Sequence, residues 1–184
     1  MPPPEQSADK LLVAVRGDLA LVRVVGRGSF KISPALKDFC HGVMEKGCRR
    51  MAVDMADCVG MDSTFMGVLA GLAARLRQKG GGKIVMANLS LRTRGLLATL
   101  GLDEVIEPHM AGAIPAWLQP LLAAPADALD IRPPTPLETA ETMLEAHQDL
   151  VKLSPENLPK FKDVLRFLSE DLKKTTGGGD TKSY

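Results

Sequence analysis

The chain has 184 residues, 45% of them apolar, enough for one ordinary domain with a real core plus an extension. Its 23 Lys and Arg nearly balance 22 Asp and Glu, so no overall field draws it to nucleic acid or an anionic membrane, and partner choice rests on local features. No leader-like pattern opens the chain and no run reaches the ~18 apolar residues of a membrane span, while Cys40, Cys48 and Cys58 lack CxxC spacing; together these features predict a cytoplasmic chain with reduced thiols.

Residues 1–9, polar and proline-rich, read as a flexible tail. Leu11–Val15 and Leu19–Val25 are β-branched and aliphatic runs broken by Arg16-Gly17-Asp18, which predicts an antiparallel hairpin. Gly26 to Ile32 is too glycine-rich at its start to continue a strand and is expected to be a loop. Ser33-Pro34 then offers an N-cap and a first-turn proline for a helix through Leu36, Phe39, Cys40, Val43 and Met44. Met51–Ala56 and Ile84–Ala87 read as buried strands. Between them a second helix begins near Asp62-Ser63 and stops at Gly80-Gly81-Gly82. Ser90 caps a third helix ending at Gly101, and Val105-Ile106 suggests a short edge strand before Pro108.

This order predicts an α/β (α+β) layer fold over residues 10–122, with about four to five strands and helices packed on the sheet. Residues 123–134 have the proline content of a linker. Thr135-Pro136-Leu137-Glu138 has capping-box spacing, and Leu137, Ala140, Leu144, His147 and Val151 share one helical face. Leu158, Phe161, Leu165, Leu168 and Leu172 continue the pattern after Ser154-Pro155. A helical pair over 135–174 is therefore expected, packed on the module or, as a homodimer, on a second copy, because two short helices rarely stay folded alone. Residues 175–184 are expected to be disordered.

Catalytic devices fail on spacing. Gly80-Gly81-Gly82-Lys83 lacks the Ser or Thr and the following helix of a P-loop, and Gly26-Arg27-Gly28 lacks the third glycine of a dinucleotide site. Met61 and Phe65 hold the places where a nucleophile elbow around Ser63 needs glycine. Cys58 reads as a structural thiol, and His41, His109 and His147 as surface or half-buried packing residues without ligand spacing. No enzyme, metal or cofactor is implied.

Val53-Asp54-Met55-Ala56-Asp57-Cys58-Val59-Gly60-Met61-Asp62-Ser63-Thr64-Phe65-Met66-Gly67-Val68-Leu69 closely resembles the central signature of the STAS family, in particular the bacterial anti-sigma factor antagonists. The likeness extends over about residues 10–110. It departs at Thr64-Phe65-Met66-Gly67, where family members often have Ser-Gly-Leu-Gly after the first serine. The resemblance implies that Ser63, and less readily Thr64, accepts a phosphate. It further implies that the unmodified module sequesters an anti-sigma factor with serine kinase activity, that phosphorylation breaks the complex, and that a phosphatase restores it. In this reading the protein is a phosphorylation-controlled regulator of transcription that touches no nucleic acid directly and does not enter a membrane.

From the residues themselves, Asp62 and Ser63 equally suit a plain helix cap. Ser29, Phe30 and Lys31, in the loop before the first helix, are expected beside them on the partner-binding surface with Asp62, Ser63, Thr64 and Phe65. Phe30 serves either as an anchor or as a core residue. An alternative role is a STAS regulatory subunit of another assembly, such as a transporter ATPase complex, in which the same surface docks constitutively.

Overall fold

In the computed structural model, residues 8–177 are described. The tail expected over 1–9 and the end expected over 175–184 therefore fall largely outside the described residues. Within them, the Asp9 carboxylate accepts the Arg27 backbone N–H, and 175–177 complete the last helix.

Seven strands and six helices are present among the described residues: β1 (Lys10–Arg16), β2 (Leu19–Gly28), α1 (Ser33–Glu45), β3 (Arg50–Asp54), β4 (Cys58–Met61), α2 (Ser63–Gln78), β5 (Ile84–Leu89), α3 (Leu91–Thr99), β6 (Ile106–Met110), α4 (Gln119–Ala123), β7 (Asp127–Ala128), α5 (Pro136–Leu153) and α6 (Leu158–Gly177). The sheet runs β6-β5-β3-β2-β1-β7, with β4 added on β2. The first two strands form the expected hairpin, Arg16 opposite Leu19, turned at Gly17 with φ 60°. The pairs β2–β3, β3–β5 and β5–β6 are parallel, because a helix separates the strands of each pair in sequence and brings the chain back to its starting edge.

Four expectations need correction. Gly26–Gly28 continues β2, since Gly26 takes φ 85° and the segment finds ladder partners in β4, a strand too short and glycine-broken to read from sequence. Ser33 does not cap α1: its hydroxyl donates to the Ser29 carbonyl, and Ile32 holds the cap position. The proline-rich linker is not free of structure, for β7 pairs with β1 and the Leu129 N–H donates to the Leu11 carbonyl at 2.8 Å. The edge strand β6 runs through Pro108, as an edge position tolerates the missing donor.

The main core lies between one face of the sheet and the layer α1–α2, around Leu11, Val22, Val53, Phe65, Leu69 and Met86. A smaller cluster on the other face, Leu19, Leu21, Ala52 and Ala87, is closed by Leu118 at the start of α4. Helix α5 packs on α2 from outside and contributes Ala146 and Leu150 to the main core. Its buried residues are Thr142, Ala146, His147 and Leu150; of the face expected from apolar spacing only His147 is fully buried, and Leu137 is exposed. The small residues of α2 explain this rotation, because the closest approach of two helices falls where side chains are short.

Candidate functional site

The turn between β4 and α2 sits at the C-terminal end of the parallel strands and is held by carboxylates. Asp54, at the end of β3 and 4% exposed, pairs with Arg23 at 3.2 Å and accepts from the Ala56 N–H at 3.0 Å and Asn88 Nδ2 at 2.8 Å. Asn88 adopts φ 58°, a left-handed conformation tolerated by asparagine, and its amide reaches Asp54. A buried carboxylate with these partners fixes where the chain leaves the sheet for Asp57 and the turn.

Asp62 then joins two loops. Its Oδ1 accepts the Phe65 N–H at 2.9 Å, capping α2, and its Oδ2 accepts the Phe30 N–H at 2.8 Å. One carboxylate therefore ties the segment Ser29-Phe30-Lys31 to the start of α2, at the pole of the helix dipole that favours negative charge. Phe30 and Lys31 are exposed, and so are Asp57 and Val59 nearby in the chain. Asp62 and Ser63 are half-buried.

The other residues expected on this surface face inward. Ser29 is buried, and its carbonyl accepts the Ser33 hydroxyl at 2.8 Å. Thr64 is buried, and Phe65 lies fully inside the core. The Phe65 ring rests on Gly28, where an added Cβ would come within 2.9 Å of it, so the bulky departure from the family pattern is absorbed by a residue without a side chain. These three residues shape the site from beneath.

Ser63 is not freely exposed, contrary to what its place at a helix start suggests. Its Oγ lies 3.0 Å from His147 Nε2, contributed by α5, and His147 Nδ1 lies 2.6 Å from the Met143 carbonyl oxygen. His147 is 2% exposed, and its ring meets Phe161 of α6 edge-on at 4.9 Å. The 84 positions that separate His147 from Ser63 carry no spacing signal, so from sequence alone His147 is only a packing histidine. Its place on the apolar stripe of α5 was the one available hint.

Cys58 is half-buried, its Sγ 3.3 Å from the Gly60 carbonyl, and burial pushes its thiol pKa up, away from the thiolate a nucleophile needs. Among the described residues no cluster of three or more His, Cys, Asp or Glu could hold a metal ion, and no helix is long and apolar enough to cross a membrane.

The family model described as "Mlab, STAS domain" matches residues 11–108. The NMR structure of the Thermotoga maritima protein TM1081 is 12% identical with a TM-score of 0.50, over 61% of this chain and 88% of that one. The Bacillus anti-sigma factor antagonist SpoIIAA in its unphosphorylated form is 15% identical with a TM-score of 0.48, over 62% and 94% of the two chains. A sulfate transporter family protein from Wolinella succinogenes is 17% identical with a TM-score of 0.44, over 60% and 93%. At these identities the likeness, carried by TM1081, is one of fold. No curated protein matches the chain in sequence.

Proposed function

The chain belongs to the STAS family, and from that premise we propose that it is a protein-binding switch set by phosphorylation of Ser63, an anti-sigma factor antagonist whose partner is an anti-sigma factor with serine kinase activity. The observation that carries this reading is the double use of Asp62, which holds the Ser63 turn and the Phe30 loop together as one surface. On it, Phe30 and Lys31 offer an apolar anchor and a cation, Asp62 and Ser63 form the sensitive centre, and Ser29, Thr64 and Phe65 are the support. Thr64, buried, is the poorer phosphoacceptor of the two.

A phosphate on Ser63 adds about −1.5 to −2 charges at the start of α2, beside Asp62. The helix dipole accommodates it, so the domain keeps its fold while the surface changes. At about 4 Å and an effective dielectric near 20, a like-charge pair is worth roughly 4 kcal/mol before screening. A third of that already weakens a complex about tenfold.

The test is a pull-down from the native cytoplasm with wild type, S63A and S63D. The expected result is a kinase of the ATPase fold retained by wild type and S63A, lost with S63D, and able to place phosphate on Ser63 when given ATP; a phosphatase then removes it. The same set of proteins on all three baits overturns the proposal, and a tight transporter ATPase complex indifferent to S63D would instead make the chain a constitutive STAS subunit.

A further inference from the structure

Helix α5 lies against α2 closely enough that a Cβ on α2 would collide with it at two positions, with backbone at Gly67 and with a movable carboxylate at Gly71. A Cβ on Gly67 would stand 2.3 Å from the Ala146 carbonyl oxygen, and one on Gly71 2.3 Å from Asp149 Oδ2. Toward the N-terminal end of this seam, Ser63 Oγ meets His147 Nε2. The Met143 carbonyl can only accept, so Nδ1 of His147 carries a proton; in the neutral ring Nε2 then offers a lone pair, and the Ser63 hydroxyl donates to it.

We propose that the α5–α6 pair is a cover over the switch serine, latched by this hydrogen bond, and that phosphorylation of Ser63 releases it; the inference rests on Ser63 being the phosphoacceptor. Transfer of the γ-phosphoryl group of ATP forms the Oγ–P bond, breaks the bond to the β-phosphate oxygen and frees ADP, while the hydroxyl proton passes to solvent. The donor that His147 accepts is then gone. A phosphoryl group must also find room where Oγ stands only 3.0 Å from the buried His147 ring, in a seam already closed by Ala146 on Gly67, so α5 separates from α2 over Thr142–Leu150.

Two attachments keep the released helix tethered. Before α5, Leu129 is bonded to Leu11 of β1. After it, buried Asn157 donates from Nδ2 to the Leu100 carbonyl at 2.9 Å, anchoring the elbow between α5 and α6 to the end of α3. A tethered cover returns at high effective concentration once the phosphate is removed. In the unmodified state it also competes with any partner that approaches Ser63 from the α5 side.

Hydrogen exchange on the full chain, without any partner, tests the latch, because an α5 that leaves α2 loses the tertiary packing that supplies most of a helix's stability and hence its amide protection. Exchange of the amides of 142–150 is expected to rise in the order wild type, S63A, S63D, reaching at least tenfold over wild type in S63D, while β3 and β5 keep their protection. Exchange in S63D no faster than in wild type, or no faster than in S63A, overturns the proposal. If S63D also strips protection from β3 and β5, S63E takes its place under the same criteria. The latch can fail here while partners still discriminate S63A from S63D, and the converse holds, so the two proposals fall separately.

Discussion

Helices α2 and α6 are similar in length and opposite in situation. Ten of the 16 residues of α2 are buried, whereas α6 buries only Leu168 among its 20 and leaves Phe167 67% exposed. Yet α6 has the cleaner division of apolar and charged faces. A helix caught between a sheet on one side and another helix on the other needs apolar or small residues nearly all round, which blurs its pattern; a helix resting on one neighbour keeps a sharp one. Amphipathicity therefore reports how many sides are covered, not how firmly, and the less patterned helix carries the candidate switch.

The largest effect that would test this contrast is Leu69→Ala in α2, a fully buried side chain whose loss should lower unfolding free energy by about 2–5 kcal/mol in denaturant titration. A loss under 1 kcal/mol would mean that α2 is no more central than α6. Next come the two glycines beneath α5. Gly67→Ala must push back the Ala146 backbone and should destabilise by about 1–3 kcal/mol, with faster exchange in α5. Gly71→Ala meets only the movable Asp149 carboxylate and gains helix propensity, so its midpoint should stay close to wild type. Equal effects at the two positions would show that the α2–α5 seam is not closed by backbone contact.

Smaller still is Phe167→Ser on α6, expected within about 0.5 kcal/mol of wild type by thermal melting. A clear drop in melting temperature that depends on protein concentration would reveal a second copy seated on that face. The mildest effect is one of acidity at the start of α5. The Arg132 guanidinium, with the Thr135 backbone N–H, lowers the Glu138 pKa to about 2. Because the folded value lies below the unfolded one, this stabilisation is present above about pH 4.5 and disappears as pH falls toward 2. Exchange in the first turn of α5 should quicken across that window in wild type, and Glu138→Gln should flatten the change.

Much of the fold was legible because it depends on short-range rules. The β1–β2 hairpin follows from two aliphatic runs around a Gly-Asp turn, the start of α2 from Asp62 before a long apolar segment, and the start of α5 from Thr135 and Glu138, whose capping box forms with both bonds in place. The misses share a cause. Strands β4 and β7 are four and two residues long; β4 exists because β2 runs on past β3 and offers it a partner, and β7 because the edge of β1 was there to receive it. Ser33 looked like a cap until the Ser29 carbonyl, four residues earlier, took its hydroxyl.

The candidate site divides along the same line. Its central residues, Asp62 and Ser63, follow from sequence, since a capping carboxylate and a first-turn serine are local matters, and the STAS resemblance singles them out. That Asp62 also grips Phe30, that Phe65 turns inward onto Gly28, and that His147 closes over Ser63 were decided by packing. The physical reason is distance along the chain: periodicity and capping act over three or four residues, whereas a contact between residues 84 positions apart arises only when two helices, each needing to bury a face, settle where their smallest side chains let them meet.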